Sequence, residues 1–128
     1  DVRQAGLDPT TVRRVTDRTM AENAAAVAAG TLDVAQLFEP FVSAMEIAGT
    51  AHVWHACAAR GPTSYTTFYS TTQQIAARAE AFMALVRGLA ATQRWFAAAG
   101  VEEIADTIAP FFEGLDMAVM RRAIARYR

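Results

Sequence analysis

Lysine is absent from this chain of 128 residues; all 12 basic side chains are arginine. Charge of one sign is absent too, because 13 acidic residues bring the formal net charge to -1. With no basic block, the chain is not expected to track a phosphate backbone, which excludes nucleic acid as the expected partner. Cysteine occurs once, at Cys57, so no internal disulfide can form. No apolar run reaches the roughly 18 residues that a direct membrane span requires. The longest uncharged run, Gly61 to Ala77, is full of Thr, Ser, Tyr and Gln. No P-loop, no G-x-G-x-x-G and no G-x-S-x-G occurs, so neither catalysis nor a cofactor is expected. The chain starts at Asp1 without methionine or signal peptide, and reads as a processed or excised fragment.

What is present is apolar. Hydrophobic residues make up 53% and charged residues 20%, enough to build a core and to exclude intrinsic disorder. Alanine fills 29 positions, and alanine favours helix.

The first 60 residues alternate between strand-like and helix-like runs. Val12 to Thr16 is a β-branched run after the turn material Gly6-Leu7-Asp8-Pro9. Met20 to Ala29 predicts a helix stopped by Gly30. Asp33 to Phe38 predicts a second strand. Pro40 suits the first turn of a helix over Phe41 to Ala48, closed by Gly49. His52 to Cys57 and Ser64 to Ser70 complete a β-α-β-α-β-β order, the signature of an α/β layer. From Thr72 the pattern is helical only. Ile75, Ala79, Phe82, Val86, Leu89 and Phe96 form one stripe, and Glu80, Arg87 and Arg94 repeat every seven residues on another face. A further helix runs from Val101 and breaks at or before Pro110. The last begins at the N-cap Asp116, with Met117, Met120, Ile124 and Tyr127 expected inside. Arg121, Arg122, Arg126 and Arg128 suit its C-terminal dipole. So few strands leave open edges, so the chain reads as part of a larger unit.

Several segments carry a resemblance. They are Gly6-Leu7-Asp8-Pro9, then Ala24 to Ala35, then Leu37-Phe38-Glu39-Pro40-Phe41 and Tyr65-Thr66-Thr67-Phe68. Ala81 to Leu89, Phe112 to Asp116 and Ala123 to Tyr127 follow in the same order. In that order they resemble the C-terminal portion of the NMT1/THI5-like, SsuA/TauA-type substrate-binding proteins of ABC importers. The resemblance implies an incomplete α/β fold of the type II periplasmic-binding-protein kind. Residues 1–63 would be the lobe-two segment, 64–71 a crossing strand, and 72–128 helices packing on lobe one. It further implies an extracytoplasmic or periplasmic place, a permease partner, and a small polar or anionic ligand held between two lobes. The N-terminal half of the same protein would complete the cleft. Sulfonates, nitrate-like anions, pyrimidine precursors and aromatic acids are all within that family's range.

Glu39 ends a strand and precedes a helix, where ligands of open α/β sheets sit. It reads either as a hydrogen-bond acceptor for a ligand or as a cap of the Pro40 helix. Glu39→Gln is expected to weaken binding and leave melting unchanged. Thr19 and Met20, after Arg18, offer backbone N–H groups to an anion, or an ordinary N-cap. Tyr65 reads as a stacking ring or a structural tyrosine, and Phe38 as core more readily than site. His55 and Cys57 would share one strand face and His52 the other, too few ligands for zinc. Cys57 reads as buried, and Trp54 and Trp95 as packing residues. The alternatives are a cytoplasmic helical interaction module or an enzyme of pyrimidine synthesis. Standing alone, the chain is expected to be poorly stable or self-associating.

Overall fold

The computed structural model describes residue 6, residues 8–61 and residues 66–127. Among them every regular element is helical: α1 (Met20–Ala28), α2 (Phe41–Ile47), α3 (Thr72–Ala77), α4 (Ala79–Ala98), α5 (Val101–Ile108) and α6 (Met117–Tyr127). Short 3-10 turns lie at Pro9–Thr11, Cys57–Arg60 and Ala109–Phe111. The expected α/β fold is therefore wrong for the described residues, which contain no strand.

The reason is local. Val12 to Thr16, Asp33 to Phe38, His52 to Ala56 and the described part of 64–70 have no regular structure. β-Branched and aromatic residues favour strands only where a neighbouring strand accepts their backbone hydrogen bonds and covers a face. No described segment supplies that neighbour, so the side chains stay in solvent. Val34 is 58% exposed, Trp54 85% and Tyr69 95%. Trp54 is thus not a packing residue, and Cys57 is exposed instead of buried. Tyr65 lies outside the described residues.

The helices follow their sequence signals more closely. Thr19 caps α1 through a reciprocal box: its hydroxyl accepts from the Glu22 N–H, while the Glu22 carboxylate accepts from the Thr19 N–H. Gly30, with φ +69°, follows that helix, a conformation open to glycine without strain. Asp116 caps α6 by accepting from the N–H groups of Ala118 and Val119. The single helix expected from Thr72 is instead broken at Arg78, whose φ of -131° and ψ of 34° are not helical. Neither glycine nor proline stands there, and nothing in the structure explains the break.

The core sits at the C-terminal end. Ile104 and Ala105 on α5 are fully buried against Met120 and Ile124 on α6, with Ala99 completing the cluster. Trp95 and Phe96, from the last turn of α4, pack on its edge. Burying a side chain such as Ile104 contributes roughly 1.5–3 kcal/mol. Trp95 also donates its indole N–H to Glu103 Oε1 at 2.8 Å, which pins α4 to α5. Tyr127, expected inside, is 65% exposed. On its other side α6 receives α2, and α2 receives α1, burying Met45, Ala26 and Ala123.

Candidate functional site

The densest polar constellation joins α2 to α6. Glu39 precedes α2, and its Oε2 accepts from the Ser43 backbone N–H at 3.0 Å. Its Oε1 accepts from Arg126 Nε at 2.6 Å. Glu46, seven residues on and near the end of α2, accepts from Arg122 Nε at 3.1 Å and also from Arg126 Nη2. Two carboxylates and two guanidiniums thus close a neutral clasp between residues 76–87 positions apart in sequence.

The clasp is asymmetric in depth. The Glu39 side chain is 8% exposed and that of Glu46 17%, whereas Arg122 is 52% exposed. Burial pushes the Glu46 carboxyl up, but its hydrogen bonds from Arg122 and Arg126 and their charges outweigh burial and hold it below the ordinary glutamate value. Arg126 answers in kind: burial works against its charge, while Glu39 and Glu46 raise its pKa further. Beside them lies Ser43, whose residue is 0% exposed and whose hydroxyl has no hydrogen-bond partner among the described residues.

Each expected site residue now has a place. Both Glu39 carboxylate oxygens are occupied by this chain, one by a backbone N–H in the first turn of α2 and the other by Arg126. Phe38 sits beside it and is 37% exposed. Thr19 is an ordinary N-cap, and the Glu22 carboxylate already occupies the start of α1 that an anion would need. Met20 opens the same helix and is 37% exposed. Tyr65 lies outside the described residues. Thr19–Met20 and Phe38–Glu39 therefore stand at the starts of two adjacent helices, α1 and α2.

Arg122, Arg126 and Glu46 are what residue-by-residue reading missed. Arg122 and Arg126 are four apart, one turn of α6, while Glu39 and Glu46 are seven apart. Both spacings place like charges on one face. Nothing local says that the two faces meet.

Elsewhere the chemistry is thin. Among the described residues no group of three His, Cys, Asp or Glu side chains could hold a metal. A shallow hollow of about 440 Å³ at the α3–α4 joint is lined by Ala76, Ala77, Arg78, Ala79, Glu80 and Ala81. It is open to solvent and has few polar groups to orient a small molecule. No described helix is long and apolar enough to cross a membrane. No protein-family profile, curated protein or solved structure matches the chain.

Proposed function

We propose that this chain is the C-terminal helical part of a solute-binding receptor for an ABC importer. It contributes to binding a small polar or anionic solute together with an upstream segment of the same polypeptide. One observation carries the reading. Large apolar side chains stand uncovered along extended segments, among them Val12, Val34, Val53, Trp54, Phe68 and Tyr69. So much exposed apolar surface marks an interaction surface. The sequence order of the segments from Gly6-Leu7-Asp8-Pro9 to Ala123 to Tyr127 supports a receptor's other lobe as the cover of that surface. In this reading the subunit makes and breaks no bond. It delivers its solute to a permease outside the cytoplasm.

The test is thermal melting of the full-length gene product, with taurine, nitrate, a pyrimidine and benzoate as probe solutes. A receptor shows a rise in melting temperature with one class, following mass action. No rise with any of the four removes the solute reading.

A second reading has its own observation. Every regular element among the described residues is a helix, which suits a helical interaction module. That reading expects co-purification of a protein partner and no solute-dependent melting.

A further inference from the structure

α6 carries two different contacts on two different faces. Met117, Met120 and Ile124, at steps of three and four, pack into the α5–α6 core. Val119, Arg122, Ala123 and Arg126 form a second stripe, roughly 140° away round the helix. From that stripe Arg122 and Arg126 reach the Glu39 and Glu46 carboxylates of α2. Glu39, Ser43 and Glu46 are four and three apart, so Ser43 comes between the two carboxylates on the same side of α2. The two contacts also differ in substance. The α5–α6 cluster holds Ile104, Met120 and Ile124, with Trp95 and Phe96 packed on it. Outside that cluster the buried residues, among those described, are only Ala26, Ser43, Met45, Val119 and Ala123. With so little apolar surface at hand, the charges decide whether α2 sits on α6. α1 packs on α2, and the connection from α2 to α3 has no regular structure at residues 51–56 and 66–71.

We propose that the clasp of Glu39, Glu46, Arg122 and Arg126 is a releasable latch, from which α1 and α2 lift off α6 together while α5 and α6 stay packed. The irregular connection lets the pair move without pulling on the core. Solvent already reaches the latch, because the Arg122 and Arg126 side chains are 52% and 31% exposed. Dissolved salt therefore competes with its ion pairs. Opening bares Val119, Arg122, Ala123 and Arg126 and leaves Ile104 sealed. The dependence runs one way: the core does not need α2, but α2 needs the core as its platform. This latch is independent of the solute reading, since it uses only contacts within the chain.

Amide hydrogen exchange of the 128-residue chain at about 0.1 M and about 1 M sodium chloride tests it. Higher salt should speed exchange severalfold in α1 and α2, read at Ala26, Ala44 and Met45. The rates at Ile104, Ala105 and Met120 should hold. At the lower salt, Arg126→Gln should speed exchange in α1 and α2 about tenfold and again spare α5 and α6. Its remaining response to salt should be smaller than that of the wild type. Ile104→Ala should speed exchange in all four helices, because the platform itself is loosened. Opening of α1 and α2 in step with α5 and α6 under every condition would overturn the proposal. So would α2 amides that respond to neither salt nor Arg126→Gln. The salt series uses the wild-type chain, so it decides even where Arg126→Gln fails to fold.

Discussion

The two ends of the molecule are built from similarly apolar sequence, yet they end in opposite states. Around α5 and α6, Ile104, Ala105, Met120 and Ile124 are sealed from water. Along the extended segments before α3, Val34, Val53, Trp54, Phe68 and Tyr69 stand in it. The difference is not hydrophobicity but how the backbone is satisfied. A helix closes its own hydrogen bonds and needs only a neighbour for its stripe. An extended segment needs a neighbour for its backbone first. Two helices in tandem, α5 and α6, provide for each other; a lone extended run cannot.

That contrast can be broken most forcefully at its buried end. Ile104→Ala should destabilise the chain by about 2–5 kcal/mol, because it opens a cavity in the sealed α5–α6 cluster. Trp54→Ala, a far larger deletion, should stay within about 0.5 kcal/mol in the isolated chain. Urea unfolding of both variants measures the pair. Equal effects would erase the distinction between the two ends.

The clasp is the next lever. Arg126→Ala leaves Glu39 and Glu46 without the guanidinium they share, with Glu39 nearly out of solvent. The cost should be about 1–2 kcal/mol, discounted for the partial exposure of the pairs. Glu39→Gln should also lower melting, contrary to the expectation from sequence, since the lost charge faces Arg126 and not open solvent.

Acid should act through the same contact. The Glu46 carboxyl lies below its ordinary value in the folded chain, so the unfolded chain takes up its proton first as pH falls. Its contribution is complete above the ordinary glutamate range and fades as pH drops through and below it. Melting curves down that range should show a loss that Glu46→Gln removes. An identical pH profile in wild type and Glu46→Gln would detach Glu46 from stability.

The smallest effect has the opposite sign. Ser43→Ala deletes a buried hydroxyl that has no hydrogen-bond partner among the described residues and puts a better helix former in α2. It should raise stability by roughly 1 kcal/mol. A loss on making Ser43→Ala would mean that the hydroxyl has a partner in solution.

These contrasts also mark what the sequence could convey. Thr19 and Asp116 as caps, Gly30 and Gly49 as stops, and the start of α5 at Val101 were all legible, because each is a backbone fact settled within one turn. The strands were not, because Val12 to Thr16 or His52 to Cys57 carry only a preference that a partner must realise. Glu39 was recognised as either a ligand acceptor or a cap of the Pro40 helix, but its bond from Arg126 was out of reach, because that residue is 87 positions away. Arg122 and Arg126 looked like dipole cations for the same reason. The break at Arg78 left no mark in the sequence.

Amide hydrogen exchange on the isolated chain tests the central claim most directly, namely that one sealed helical end stands beside an unpaired extended one. The amides of Ile104, Ala105, Met120 and Ile124 should exchange only through the largest openings of the fold. Those of residues 12–16, 33–38, 52–56 and 66–70 should exchange at nearly unfolded rates. Protection in those four segments equal to that of α5 and α6 would mean that they are paired strands after all, and would contradict the account.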